Sequence, residues 1–227
     1  MTSFVLTERD MELLSFLEKH RSFPLPLLAE RFFAKNPFTR TRNTNPLKAC
    51  ERRMTALRAH GYIELDRVRI AGKPHVMARV ATKADNPLGV DASRRSIGTR
   101  SRVHHIRTID AVHELERSVK ARGGRVVSFT LEPQLRAREQ RGRKTRRGDD
   151  FEPFPDAVCT VSLPDAGGEQ RFDIAVEYVT SKYTSADIRE KHESFRRLYK
   201  HAFWFADRDR TASRVRHITG GTCSILS

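Results

Sequence analysis

Apolar residues recur at helical spacing in three segments of the first 61 residues. The first segment, LTERDMELLSFLEKHR, opens with Thr7 and Asp10 at the spacing of a capping box. Its predicted apolar stripe consists of Met11, Leu13, Leu14, Phe16 and Leu17. The second segment, LLAERFF, is a short amphipathic helix. The third starts at Asn45 as the N-cap, has Pro46 at its first position and ends at Gly61. The pattern therefore predicts three helices.

The third helix carries its apolar and basic residues on different sides. Its predicted inner face consists of Leu47, Cys50, Met54 and Leu57. Its predicted outer face has small side chains in the middle and basic ones at the edges. This face consists of Lys48, Arg52, Thr55 and Ala59, flanked by Arg53 and Arg58. A charged helix face of this kind is either solvated or lies against nucleic acid, and both interpretations are open at this point.

Two strand-like runs, YIELDRVRI and HVMARVAT, follow Gly61 and are joined by AGKP, which predicts a β-hairpin. The hairpin is basic, with Arg67, Arg69, Lys73 and Arg79 on or near it. Three helices followed by a basic hairpin predict a winged helix-turn-helix domain over residues 1–83.

The segment KADNPLGVDASRRSIGTRS lacks apolar periodicity, which predicts a linker over residues 84–102. A second domain, residues 103–227, begins with a helix that stops at Gly123 and is followed by a strand, RVVSFTLEP. One side of this helix is apolar, with Ile106, Ile109, Val112, Leu115 and Val119. His104 and His105 precede it without further Cys or His at ligand spacing, so they are predicted to cap or pack rather than to bind a metal.

The end of the chain alternates between strand and helix patterns. Residues 158–163 and 171–179 are predicted strands, joined as a hairpin by PDAGGE. In the second strand the apolar positions Phe172, Ile174, Val176 and Tyr178 alternate with Asp173, Ala175 and Glu177. Thr184 and Asp187 have capping-box spacing for a helix, and AFWFA is then a short buried strand. The predicted fold class is α+β: the winged helix followed by a small α/β domain.

The charge balance points to a polyanionic partner. The chain has 43 Lys and Arg against 28 Asp and Glu, a net charge of +15 that favours nucleic acid, although ribosomal or membrane-surface proteins have similar balances. The three cysteines show neither disulfide nor metal-ligand spacing, which fits a reducing cytoplasm. No stretch approaches the roughly 18 apolar residues of a membrane span. We therefore expect a cytoplasmic protein that binds double-stranded DNA and does not enter membranes.

The predicted DNA contacts fall into three groups. Base readout is assigned to Lys48, Arg52 and Thr55. Contacts with phosphates or the minor groove are assigned to Arg40, Arg42, Arg67, Arg69 and Lys73, with Arg53 and Arg58 at the edges of the helix. The third group is Arg143, Lys144, Arg146 and Arg147, in a basic loop at residues 136–147. This loop is either a mobile solvated insert or a clamp on the DNA backbone.

The second domain resembles the core of a PD-(D/E)xK restriction-endonuclease-like nuclease. Asp156 lies at the start of one predicted strand and Glu177 near the end of its partner, with Lys182 close behind. In such nucleases two carboxylates hold a divalent ion, Mg²⁺ or Mn²⁺, and a lysine stabilises charge on the scissile phosphate. The resemblance implies catalytic roles for these three residues. The chain departs from the pattern at Val179, where the lysine usually stands. Outside the nuclease interpretation, no metal or other cofactor is predicted.

Five segments, taken in order, resemble motifs of the replication-relaxation family of mobile-element proteins: LTERDMELLSFLEKHR, ERRMTALRAHGYIE, HHIRTIDAV, PFPDAV and VEYVTSKYTSADIREKHESFRRLY. The resemblance implies a DNA-binding accessory protein of plasmids, integrative elements or phages, acting in replication, DNA relaxation, conjugative mobilisation or its transcriptional control. Its implied partners are relaxases or replication proteins. A homodimer is a further expectation, because winged helices often dimerise.

Two functions of different classes remain open at this stage. In the first, the chain is a non-catalytic DNA-binding module. In the second, the same module guides a metal-dependent DNA nuclease or nickase built on the PD-(D/E)xK-like half.

Overall fold

The computed structural model describes residues 4–35, 41–70, 72–81, 99–142, 153–165 and 167–226. Over these residues the chain is mixed α/β and forms two compact units, Met1–Ile106 and Arg107–Ser227. Most of the predicted linker, its residues 84–98, lies outside the described residues. The domain boundaries inferred from the sequence therefore stay a prediction.

The first unit combines helices with a small sheet, and its last residues form the start of a longer helix. Its elements are α1 (Glu8–His20), β1 (Phe23–Pro24), α2 (Leu25–Phe32), α3 (Pro46–Ala59), β2 (Ile63–Ile70) and β3 (Lys73–Val80). β2 and β3 form an antiparallel hairpin, and the short β1 pairs antiparallel with β3, so the strand order is β1-β3-β2. The three helices and the hairpin predicted from the apolar pattern are thus confirmed as elements.

Side-chain caps determine where α1 and α3 begin. Thr7 caps α1 in a capping box with Asp10. At the start of α3, Asn45 Oδ1 accepts a hydrogen bond from the Lys48 backbone N–H at 3.0 Å. Gly61 follows α3 with a φ of 76°, a left-handed conformation that glycine adopts without the steric cost of a Cβ. Both helix starts predicted from the sequence are confirmed.

The apolar sides of the three helices form the core of this unit. The buried side chains include Leu13, Leu14, Leu17, Leu28, Met54 and Leu57. Two positions predicted to be in the core are exposed instead: Met11 is 37% exposed and Leu47 is 40% exposed. Met11 is the fourth residue of α1 and Leu47 is the second residue of α3, so both lie near the start of their helices.

The β2–β3 hairpin has two different faces, because side chains alternate along a strand. One face packs against the start of helix α4 (Thr99–Ala121) through Val68, Ile70, Met77 and Ile106. On the other face of β2, Arg67 and Arg69 are exposed. Packing therefore occupies one face of the hairpin and leaves the other basic and accessible.

The second unit is built on a five-stranded sheet. After α4 its elements are β4 (Arg125–Leu131), α5 (Glu132–Gly142), β5 (Ala157–Asp165), β6 (Gly168–Val179), α6 (Ser185–Leu198), β7 (His201–Ala206), α7 (Asp209–Thr219) and β8 (Cys223–Ile225). The strand order is β4-β5-β6-β7-β8. The β4–β5 and β5–β6 pairs are antiparallel, whereas β7 runs parallel to both of its neighbours, β6 and β8.

The central strand β6 is covered on both faces. Its residues 174–179 are all buried, including Ala175 and Glu177, which the sequence pattern sets apart from the apolar positions of the strand. The reason is topological: a parallel connection such as β6–α6–β7 places its helix on the sheet. The apolar side of α6 packs on Ala175 and Val179 through Ile188 and Phe195.

Four elements differ from the sequence-based expectation. α4 begins at Thr99, so the end of the predicted linker is helical and His104 and His105 lie inside the helix. The predicted basic loop is partly wrong, because its residues 136–142 belong to α5. An ion pair between residues one helical turn apart stabilises this polar helix: Arg136 Nη2 lies 2.6 Å from Glu132 Oε1. The elements α7 and β8 were not predicted.

Candidate nucleic-acid interface

The outer face of α3 is accessible along its length. Its exposed side chains are Lys48, Glu51, Arg52, Thr55, Arg58 and Ala59. The Thr55 hydroxyl donates a hydrogen bond to the Glu51 carbonyl at 2.9 Å. The position of the basic outer face predicted from the sequence agrees with this exposure, but its contact with DNA stays a prediction.

Arg53 does not share this orientation. Its guanidinium forms an ion pair with the buried Asp10 of α1 and also donates to the Val5 carbonyl at 3.0 Å. Burial alone would raise the pKa of Asp10, but hydrogen bonds from Arg53 and Thr7 lower it. The same hydrogen bond raises the pKa of Arg53. The structure therefore places Arg53, which was predicted at the edge of the DNA contact, as a bridge between α3 and α1.

The hairpin and the segment before α3 add exposed cations to this unit. Arg67, Arg69 and Lys73 are exposed on the hairpin, and Arg42 is exposed where it pairs with Lys35 in an isolated β-bridge. Arg79 instead forms ion pairs with Glu64 and Asp66. The predicted contacts Arg40, Arg143, Lys144, Arg146 and Arg147 lie outside the described residues.

In the second unit, the two carboxylates predicted from the sequence lie side by side. Asp156 precedes β5 and is 4% exposed, and Glu177 of β6 is completely buried. The Asp156 Oδ2 atom accepts a hydrogen bond from the backbone N–H of Tyr178 at 2.8 Å. Glu177 Oε2 accepts one from the backbone N–H of Asp156 at 3.1 Å. The antiparallel pairing of β5 with β6 thus brings together residues that are 21 positions apart.

The lysine at this cluster is Lys191, on α6, and not Lys182. Lys191 Nζ lies 2.5 Å from Glu177 Oε1 and donates to the Phe154 carbonyl at 3.2 Å. Lys182 is exposed in the turn before α6. The sequence contains a signal for Lys191 that the nuclease motif does not include. It lies three residues after Ile188 and four before Phe195, so it is a lysine on the apolar side of the helix.

The charges of this cluster are strongly coupled. Burial, together with the Asp156 carboxylate, raises the pKa of Glu177, and Lys191 opposes the increase. Burial lowers the pKa of Lys191, but the two carboxylates outweigh it and raise the pKa. Burial and Glu177 also raise the pKa of Tyr183, whose ring centre lies 5.4 Å from Lys191 Nζ. Lys191 is therefore the cation that faces the two carboxylates of the cluster.

A divalent cation is implied by the nuclease resemblance, and the donor atoms show whether it fits. Carboxylate oxygens suit Mg²⁺ and Mn²⁺. However, both oxygens of Glu177 and the Oδ2 atom of Asp156 already accept hydrogen bonds. Within the described ranges, no group of three or more His, Cys, Asp or Glu side chains could hold a metal ion. The residues as arranged therefore do not fit a bound metal, and Lys191 supplies the positive charge.

Comparisons with known proteins give one weak structural similarity. No protein-family model matches the chain, and no curated protein matches it. The chain is similar to the structure of restriction endonuclease FokI bound to DNA, with 12% sequence identity and a TM-score of 0.26. That similarity covers all of this chain but only 44% of the FokI chain. A TM-score this low carries no argument about fold or function. The resemblance to the replication-relaxation family stays a prediction.

No helix in the described part of the chain combines the length and the apolar composition that crossing a bilayer requires.

Proposed function

We propose that the first unit is a winged helix-turn-helix that binds double-stranded DNA with the outer face of α3. The observation that carries this proposal is the contrast within α3 between Arg53, which is tied to Asp10, and Arg52, which is exposed beside it. Internal packing uses one side of the helix, and the opposite side keeps its cations accessible. The order of helices and strands and the net charge of +15 support the same proposal.

Within this proposal the contacts have different tasks. Lys48 and Thr55 face the major groove, where side chains can read base edges, and Arg52 lies beside them on the same face of α3. The hairpin cations Arg67 and Arg69 meet the phosphates, which add affinity without sequence preference. We assign the protein a non-catalytic accessory role in the replication, DNA relaxation or mobilisation of a mobile element, with relaxases or replication proteins as partners. This role rests on the motif resemblance alone.

A binding measurement on the full chain tests the DNA proposal. Fluorescence anisotropy with a labelled mixed-sequence duplex is recorded over a range of salt concentrations. Replacing Arg67 and Arg69 by Gln should lower the affinity and reduce the slope of log K against log salt by about 0.9 for each phosphate that the variant no longer neutralises. The control is Arg117→Gln, because this arginine of α4 is 67% exposed in the second unit. If the slope of log K against log salt is the same for the double variant and the control, the hairpin arginines do not contact phosphates.

A second candidate function, metal-dependent cleavage of DNA, is favoured by one observation. Asp156, Glu177 and Lys191 converge at the edge of two strands and a helix, although the motif lacks a lysine at position 179. It ranks below the first candidate because the carboxylates are buried and their oxygens are already bonded. We therefore expect supercoiled plasmid to remain intact when incubated with the protein and Mg²⁺ or Mn²⁺.

The cleavage assay has a control on the same strand. Asp173 of β6 is exposed and bonded to Thr160, so Asp173→Ala removes a carboxylate away from the cluster. Nicking that is present in the wild type and in Asp173→Ala but absent in Asp156→Ala would establish the second candidate and refute the non-catalytic assignment. A plasmid left unchanged under all conditions excludes cleavage of that substrate.

A further inference from the structure

A cleft of about 420 Å³ opens in the first unit beside α3. It lies between the start of α1, the residue after α2 and one side of α3, and its lining includes Arg9, Asp10, Phe33, Ala49, Arg52 and Ala56. Ala49 and Ala56 are two helical turns apart, so they lie on the same side of α3. Their short side chains leave the space that longer residues would fill. The cleft is therefore continuous with the edge of the exposed face of α3.

The charge of the cleft is positive. The single carboxylate among these residues, Asp10, is neutralised by Arg53, which also lines the cleft. Among the residues that the structure describes, neither Arg9 nor Arg52 forms an ion pair. The guanidinium of Arg9 lies 4.9 Å from the centre of the Phe33 ring, a stacking contact that orients the group without using its N–H donors. Two guanidinium groups, one of them oriented by stacking, thus keep donors available at the cleft.

We infer that this cleft binds one phosphate group of the DNA backbone, held between Arg9 of α1 and Arg52 of α3. This inference rests on the proposed function, because the backbone reaches the cleft when a duplex lies on the outer face of α3. A guanidinium offers a planar pair of donors that matches a phosphate, and two of them on separate helices hold it from both sides. The assignment gives Arg52 to the backbone and leaves Thr55 and Lys48 for the base edges.

The fixed phosphate would also determine how α3 lies in the groove. The Arg53–Asp10 pair connects α3 to the same end of α1 that carries Arg9. The two cations of the cleft are therefore held in one rigid framework, which positions the helix relative to the backbone before any base is contacted. Positioning of this kind changes affinity for every DNA sequence to the same extent.

The first test compares two arginines that make similar aromatic contacts. Arg9 stacks on Phe33 in the cleft, and Arg31 stacks on Phe16 at 4.8 Å outside it. The affinity of the full chain for a labelled mixed-sequence duplex is measured across salt concentrations for Arg9→Gln and Arg31→Gln. The first variant should bind roughly 3- to 10-fold more weakly, with a salt slope smaller by about 0.9. The second should match the wild type.

A second pair of variants keeps all the arginines and adds charge to the cleft. Ala56→Glu and Ala56→Gln have nearly the same size, and both are good helix formers. The Glu variant should bind the duplex several-fold more weakly than the Gln variant, because its carboxylate competes with the phosphate for the two guanidinium groups. This comparison remains decisive if Arg9→Gln fails to fold, which thermal unfolding followed by circular dichroism would reveal.

The outcomes separate this inference from the function on which it rests. If the wild-type chain does not bind duplex DNA, the proposed function fails and the phosphate site fails with it. If the wild type binds but Arg9→Gln keeps its slope and the two Ala56 variants bind equally, the cleft holds no phosphate. In that case the DNA proposal stands on the hairpin and the outer face of α3.

Discussion

Replacing Lys191 by Met should destabilise the second unit strongly. The substitution keeps a long unbranched side chain on α6 but removes the ammonium that lies 2.5 Å from Glu177 Oε1. The side chain of Glu177 is 1% exposed and that of Lys191 is 16% exposed. The carboxylates of Glu177 and Asp156 would then share a buried site that carries a net negative charge and has no cation.

The expected loss follows from the burial of the two partners. Removing one member of a buried ion pair costs about 3–5 kcal/mol, and the partial exposure of Lys191 favours the lower limit of about 3 kcal/mol. For a unit of this size that loss corresponds to a decrease in melting temperature of roughly 10 °C. Acid should reduce the loss. The uncompensated charge raises the carboxyl pKa values of the folded variant above the unfolded ones, so stability returns as the pH falls.

The single tryptophan of the chain makes the second unit measurable by itself. Trp204 lies in the core that β7 forms with α6, and it is 3% exposed. Denaturant unfolding of the full chain followed by its fluorescence therefore reports the free energy of unfolding of this unit. The measurement is made near pH 8 and near pH 4 for the wild type and for Lys191→Met.

Lys182→Met is the matched control, because it removes the exposed lysine that the sequence suggested for the same role. It should change the free energy of unfolding by less than about 0.5 kcal/mol. Equal losses for the two lysine variants, or a loss at Lys191 that does not change with pH, would refute the description of Lys191 as the counter-ion of the carboxylates.

Two further predictions concern the first unit and the thiols. Arg53→Gln should lower the melting temperature of the first unit. The free energy of unfolding should fall by about 1–3 kcal/mol, because Asp10 stays buried without its partner. Thermal unfolding followed by circular dichroism measures this change, with Arg52→Gln as the exposed control. An unchanged melting temperature would show that the Arg53–Asp10 pair does not stabilise the first unit. Burial raises the thiol pKa of Cys50 to about 12 and of Cys223 to about 11. Alkylation by iodoacetamide at neutral pH should therefore require unfolding, and rapid labelling of the native chain, detected by mass spectrometry, would count against their burial.

The sequence alone predicts a helix or strand when the residues that cause it lie close together in the chain. Thr7 and Thr184 are both predicted as N-caps from the residue three positions later, and both capping boxes are present. α7 is not predictable in this way because its N-cap, Arg208, makes no side-chain capping bond, so the sequence has no start signal. β8 has only three residues, too few for a period to be visible.

Contacts between distant segments account for what the sequence could not reveal about the candidate site. Periodicity places Arg53 at the edge of the outer face, but it cannot show that Asp10, 43 residues earlier, draws the side chain toward α1. Lys191 escapes prediction for the same reason. Only the packing of α6 on β6 places this lysine beside Glu177, 14 residues away. In both cases the sequence contains the charge, and the pairing depends on the tertiary fold.

The measurement that tests the central claim most directly is the affinity of Arg52→Ala for duplex DNA over a range of salt concentrations. Arg52 is exposed on α3 next to the inward Arg53, and Arg117→Ala provides an exposed arginine of the second unit as the control. If the outer face of α3 contacts DNA, Arg52→Ala binds more weakly and its salt slope decreases, while the control binds like the wild type. Identical affinity and slope in all three proteins would contradict the claim.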